Sequence, residues 1–266
     1  MDSSGAVEEF TDSSSKPSDV ETSFTYQMNM TGKRGIFILI NQMKDFDANT
    51  GDFYEKDRQE TQKADLDGTA LKALFEDLGF EVRPYENRTK RQIRDTLISL
   101  QKEDSTEKIC FACAILTFGK DGMLYGTDGS IDIKQLAKDV SKAKMFKGKP
   151  KFFIIQTSTG ETEIPRPTDS DAPAETRMIK LPLFADFLYY QSTTPGFELY
   201  GDDSGSWFVQ ELVKVFREHA HNEDVLSMLT LVNERVAKLR LEGKLPQLPS
   251  ITSQLRKDLR LPLKSK

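Results

Sequence analysis

Four stretches of the chain are apolar at nearly every position: Gly35-Ile-Phe-Ile-Leu-Ile-Asn41, Ile109 to Leu116, Lys151-Phe-Phe-Ile-Ile-Gln156 and Asp186-Phe-Leu-Tyr-Tyr190. Continuous runs of β-branched and aromatic residues predict strands buried on both faces. Phe80-Glu-Val-Arg-Pro-Tyr85 reads as a shorter strand. Between them the period changes to that of a helix. Ala70, Leu71, Leu74, Phe75 and Leu78 share one face, and Gly79 stops that helix. Thr89 caps a second helix with Ile93, Leu97 and Leu100 inward. Gly205-Ser206 opens a third, burying Phe208, Leu212, Val215 and Phe216, and a fourth carries Val225, Leu229, Val232, Val236 and Leu239. Strands alternating with helices predict an α/β fold, a mostly parallel central sheet with helices on both faces. The length of 266 residues suits one large domain of this kind.

The breaks in pattern carry their own expectations. Gln42 to Lys63 is polar and reads as a long exposed loop, a common place for function. Gly122-Met-Leu-Tyr-Gly126 with Asp128-Gly129 has hairpin turn chemistry. Thr157 to Arg177 loses all period, contains Pro165, Pro167 and Pro173, and reads as a linker. Pro249 to Leu263 alternates in part and reads as a last strand. The first thirty residues hold six acids and one base, and the remainder carries 36 of each, so the net charge of −5 sits in the tail. That tail, residues 1–30, is expected to be disordered. With no basic face, a nucleic-acid partner lacks electrostatic support. No signal peptide or membrane-length apolar run is visible, so the expectation is a soluble cytoplasmic protein away from membranes.

Two cysteines and two histidines restrict the chemistry most. They are too few for a disulfide framework and almost too few for a zinc site, so no metal and no cofactor is expected. Cys110 and Cys113 form a C-x-x-C inside an apolar strand, where positions i and i+3 point to opposite faces. Core packing is the reading that fits them. His219 and His221 follow an amphipathic helix beside Glu218 and Glu223, where a cation suits the helix end.

Taken in order, these segments resemble the caspases. Arg34-Gly-Ile-Phe-Ile-Leu-Ile-Asn41 is similar to that family's first strand. Ile115-Leu-Thr-Phe-Gly119 followed by Gly122-Met-Leu-Tyr-Gly-Thr-Asp-Gly129 resembles the Ser-His-Gly segment and its hairpin. Gly148-Lys-Pro-Lys-Phe-Phe-Ile-Ile-Gln156 with Thr-Ser-Thr-Gly160 resembles the strand ending in the Gln-Ala-Cys-Arg-Gly nucleophile motif. Gly205-Ser-Trp-Phe-Val-Gln210 and Pro249-Ser-Ile-Thr-Ser-Gln-Leu-Arg-Lys-Asp-Leu259 are similar to parts of the small subunit. The resemblance implies a tail (1–30), a large-subunit-like region (31–164), an intersubunit linker (165–178) and a small-subunit-like region (179–266). It also implies a protease fold cutting after aspartate, working as a dimer through the last strand, at Ile251, Thr252 and Gln254.

The chain departs from the family where the chemistry is done. Phe118 stands at the histidine position and Ser158 at the cysteine position, while the neighbouring glycines remain as Gly119 and Gly160. Phenylalanine cannot move a proton, and a hydroxyl without a base is a poor nucleophile. Of the aspartate-binding pocket, Gln156 remains. The arginine positions align with Thr61, three residues ahead of the helix expected from Ala64, and with the segment ending at Gly201. Losing both guanidinium groups removes the clamp for a substrate carboxylate. The expectation is an inactive homologue that regulates apoptosis by dimerising with an active caspase, or with itself. Two alternatives stand beside it. One is a decoy substrate or a binder of an inhibitor-of-apoptosis protein, with Asp169 and Asp171 as cleavage positions in the linker. The other is a residual hydrolase using Ser158.

Overall fold

The apolar runs form the middle of one sheet. The computed structural model describes residues 24–26, 34–46, 53–55, 58–104, 107–120, 123–158, 184–193, 199–239 and 246–264. In chain order the elements are β1 (Gly35–Asn41), β2 (Lys44–Phe46), β3 (Phe53–Glu55), α1 (Arg58–Asp77), β4 (Phe80–Glu86) and α2 (Lys90–Ser99). Next come β5 (Cys110–Lys120), β6 (Met123–Gly126), β7 (Gly129–Ile131), α3 (Ile133–Ser141) and β8 (Lys151–Ser158). The last part holds β9 (Phe187–Gln191), β10 (Gly201–Asp202), β11 (Gly205–Ser206), α4 (Trp207–His219), α5 (Val225–Lys238) and β12 (Ser250–Ser253).

The central sheet runs β12-β9-β8-β5-β1-β4. Every pair is parallel except β12 with β9. Alternation splits the strands between two cores. Phe37, Leu39, Cys110, Phe152 and Tyr190 pack with residues of α1, α4 and α5. Ile36, Ile38, Cys113, Phe153 and Tyr189 pack with residues of α2 and α3. The helices therefore cover both faces, as the alternating pattern requires. Phe75 of α1 stacks on Phe37 with ring centroids 3.7 Å apart. Both rings are fully buried, and truncating either would cost about 3–5 kcal/mol.

The helix starts are chemically marked. Thr89 accepts from Gln92 N while Gln92 reaches back to Thr89 N, which is a full capping box. Asp132, Ser206 and Asp224 cap α3, α4 and α5. Gly79, at φ 88°, lets the chain leave α1 through the left-handed region.

Several expectations are corrected. The stretch from Gln42 to Lys63 is not one loop: it contains the β2–β3 hairpin, and α1 begins at Arg58. Thr61 accordingly lies inside the first turns of α1 rather than ahead of it. Thr157 and Ser158 belong to β8, not to the linker, because their backbones continue the pairing with β5. The last strand spans Ser250 to Ser253 only. Asp186 is a turn residue at φ 68°, ahead of a strand beginning at Phe187. α3 was not foreseen, although Ile133, Leu136, Ala137 and Val140 have helical spacing behind the Asp132 cap. Residues 1–23, the linker 165–178 with Asp169 and Asp171, and Gly160 lie outside the described residues.

Residues 25–26 are tied to Asp186 and to the segment after β12. Thr25 bridges Asp258, and the Tyr26 hydroxyl donates to Asp186 at 2.8 Å. Arg256 donates twice to the same carboxylate, at 2.8 and 2.7 Å.

Candidate functional site

In an open parallel sheet, ligands sit outside the carboxyl ends of the strands. Here that end is formed by β5 and β8. Their register pairs Leu116 with Gln156, Thr117 with Thr157 and Phe118 with Ser158. The two positions singled out from sequence therefore face each other across adjacent strands, at the last paired step. Gly119 follows immediately. A Cβ there would lie 2.6 Å from Thr157 Cβ, so the close approach of the strands requires glycine. The Thr117 hydroxyl donates to the Tyr125 carbonyl at 2.6 Å and pins the β6 hairpin beside this end. Gln42 donates to the Arg88 carbonyl and accepts from the Arg88 amide, at 2.6 and 2.7 Å, fixing the loop after β4.

Beneath the strand ends lies a buried polar network. Gln156, 8% exposed, donates through Nε2 to Asp67 Oδ2 at 2.9 Å and accepts from the Ser206 hydroxyl at 2.8 Å. Asp67, 2% exposed, also accepts from Ser206 N at 2.9 Å and from Gln210 Nε2 at 3.5 Å. Burial pushes the Asp67 carboxyl above its ordinary range, against the pull of these donors. Gly205 approaches so closely that a side chain there would collide with Asp67. Both ends of the Gln156 amide are thus used inside the protein. Gly201 pairs with Ser206 on the β10–β11 ribbon, so it stands next to the network but is itself exposed. Thr61 lies six residues before Asp67 on α1, about 9 Å along the helix. Of the three proposed pocket residues, Gln156 and Gly201 meet through Ser206, and Thr61 stands apart along α1.

The network that joins Asp67 to Ser206 and Gln210 escaped sequence reading. The signal existed for Asp67: it falls on the stripe of Leu71, Leu74 and Leu78, where a lone acid among buried residues needs partners.

The four Cys and His residues are elsewhere. Cys110 and Cys113 precede Phe118 on the same strand, about 26 and 16 Å back at 3.3 Å per residue. Both are fully buried, which pushes the Cys110 thiol up to about 12 and Cys113 higher still. His219 ends α4, about 20 Å from the Ser206 cap at 1.5 Å per residue. Neither a thiolate nor an imidazole reaches the β5–β8 end. Among the described residues no group of three or more His, Cys, Asp or Glu could hold a metal ion, and no helix is long and apolar enough to cross a membrane.

The sheet has two edges. β4 closes one with Pro84, which has no N–H, and with the ion pairs of Arg83 to Glu81 and Glu103. β12 forms the other and presents its outer side to no strand among the described residues. Ile251 packs toward the α4–α5 core, Thr252 lies opposite Tyr189 on the other face, and Gln254 continues the pairing through its amide to the Phe187 carbonyl.

Comparison with known proteins agrees with this architecture. The caspase-domain family model, Peptidase C14, matches residues 36–260. Caspase-3 of Felis catus is 34% identical over 262 residues, covering 94% of this chain and 91% of the relative. Caspase-3 of Bos taurus is 34% identical over 260 residues, covering 93% and 91%. Caspase-3 of Mus musculus is 33% identical over 258 residues, covering 93% and 90%. With its parallel sheet, its covered faces and a family match across most of its length, the chain belongs to the caspase family.

Proposed function

We propose that this protein is a catalytically inactive caspase homologue that regulates an active caspase by pairing with it through β12, in the cytoplasm. The observation that carries the reading is the register of Phe118 against Ser158. The site where a caspase needs a histidine beside a cysteine holds a ring that exchanges no proton and a hydroxyl. Neither of the two histidines nor either cysteine reaches this end of the sheet. The Asp67 carboxylate is held within its own network, accepting from Gln156 Nε2, Ser206 N and Gln210 Nε2.

The pocket supports the same conclusion. Thr61 and Gly201 carry no positive charge, and Gln156 is committed to Asp67 and Ser206. A peptide aspartate held by these three positions alone would lose its hydration without a cation in return. What remains among the described residues is the scaffold and the sheet edge at β12. A protomer docked at that edge changes its partner's activity only by preferring one state of the partner's loops over another. The test is sedimentation of this protein mixed with active caspase-3. A mixed dimer, absent when Ile251 is replaced by Asp, is expected. Two independent species at all ratios would defeat the proposal.

A further inference from the structure

The balance of 36 acids and 36 bases outside the tail hides a local excess of one sign. Residues 133–151, which form α3 and the approach to β8, hold seven lysines and a single acid, Asp139. The expectation of no basic face is thereby corrected. Asp139 is 1% exposed and is taken by Arg94 at 2.7 Å. Lys134, Lys138, Lys142, Lys144 and Lys147 are all exposed. Among the described residues only Lys142 of these five has an acidic partner, Asp139 at 3.7 Å. The other acids around the face are already used. Asp132 caps α3, and Asp95 of α2 pairs with Arg91 at 3.5 Å. Lys134, Lys138 and Lys142 recur every four residues, so like charges stand above one another on one side of α3 and repel. An anion laid along that side relieves the repulsion.

The first described residues bring the tail to this run. Tyr26 N donates to the Asp258 carbonyl at 3.0 Å, and Asp258 N donates to the Phe24 carbonyl at 2.8 Å. The Tyr26 hydroxyl donates to the Asp186 carboxylate, and the Asp186 carbonyl accepts from Lys151 N, both at 2.8 Å. One residue thus joins the segment that follows the tail to the last lysine of the run. Residues 1–23 carry six acids against Lys16 alone. A chain of that length reaches up to about 75 Å at 3.3 Å per residue, whereas α3 is about 14 Å long, so reach sets no limit. The tether holds the acids near the lysines at an effective concentration on the order of millimolar.

We infer that the exposed lysine face of α3 and of the segment leading to β8 is the docking surface for this chain's own acidic segment, residues 2–21. Sign and number agree: five exposed lysines meet a tail whose net charge is −5. The docked tail withdraws this face from other polyanions until it is displaced. The contact uses neither β12 nor the ends of β5 and β8, so it stands independently of the proposed function.

Lysine acetylation of the full chain, read by mass spectrometry, tests this. The comparison is a full-length variant with Asp2→Asn, Glu8→Gln, Glu9→Gln, Asp12→Asn, Asp19→Asn and Glu21→Gln together. At low salt Lys138, Lys144 and Lys147 are expected to react about 3–10-fold more slowly in the wild type than in the variant. That protection should vanish near 0.5 M salt, where the screening length is about 4 Å. Lys72 and Lys238, which pair with Glu76 and Glu234 on their own helices, should react alike in both proteins. Carbodiimide coupling should join tail acids to Lys138, Lys142, Lys144 or Lys147, and within single chains when ordinary and nitrogen-15 protein are mixed. Equal acetylation of wild type and variant, a change shared by Lys72 and Lys238, or coupling spread over all exposed lysines would overturn the inference. Coupling between chains would overturn it by making a second copy the occupant. Unprotected lysines that instead retain a labelled oligonucleotide would overturn it in favour of nucleic acid.

Discussion

Replacing Asp67 by alanine tests whether Gln156 and its neighbours are committed to the protein's own groups. Three donors converge on this carboxylate: Gln156 Nε2, Ser206 N and, more weakly, Gln210 Nε2. All lie under the ends of β5 and β8, and Asp67 is almost fully buried. Alanine leaves the first two donors without an acceptor, each at about 1–3 kcal/mol, and opens a small void. The expected loss is about 3–5 kcal/mol. At about 2–4 °C per kcal/mol for a domain of this size, the melting temperature should fall by about 6–20 °C. Gln156→Ala should cost a comparable amount by stranding the Ser206 hydroxyl and one Asp67 oxygen. Because the two side chains share a bond, the double variant should lose less than the sum, with a coupling of about 1–3 kcal/mol. Thermal and denaturant unfolding of the four proteins supplies the measurement. A loss below about 1 kcal/mol for Asp67→Ala, or strict additivity, would refute the claim that Gln156 is committed inward.

Other outcomes follow from the same geometry. Restoring the family residues with Phe118→His and Ser158→Cys together should not yield aspartyl-peptide cleavage, because Thr61 and Gly201 still offer no cation; measurable turnover would show that the pocket is open. Cys110 and Cys113 should resist alkylation in the folded protein at pH 8, and rapid labelling seen by mass spectrometry would contradict their burial. Asp186 has a pH signature. Burial pushes its carboxyl up, but Arg256 and Tyr26 pull it below its ordinary value. A lowered folded pKa contributes stability that is present above the unfolded value of about 3.9 and lost as pH falls through the folded one. Asp186→Asn should therefore destabilise the protein at neutral pH, with the difference shrinking below about pH 4 in unfolding measurements.

Much of the fold was legible because burial on two faces leaves long apolar runs, and β1, β5 and β8 have them. The polar edges of elements were not. α1 starts with Arg58-Gln-Glu-Thr-Gln-Lys63, six polar residues that carry no period, so its first turns read as loop. β5 and β8 outrun their apolar cores because backbone pairing continues through Phe118 and Ser158. The three-residue strands β2 and β3 are too short to show alternation. α3 was visible in principle but its nine residues lie between two stronger signals. In the site, the positions of Phe118 and Ser158 came from motif order alone, and the register then set them opposite each other. The Asp67 network could not be read the same way. Its members come from α1, β8 and α4, and one acid on an apolar stripe does not say which distant amides it meets.

The account stands most directly on a titration of active caspase-3 with this protein, read as aspartyl-peptide cleavage. The expected result is a saturable change in the caspase's rate at one-to-one stoichiometry, lost with Ile251→Asp, while this protein alone turns over no peptide. A caspase rate unaffected at every ratio, or turnover by this protein alone that disappears with Ser158→Ala, would contradict it.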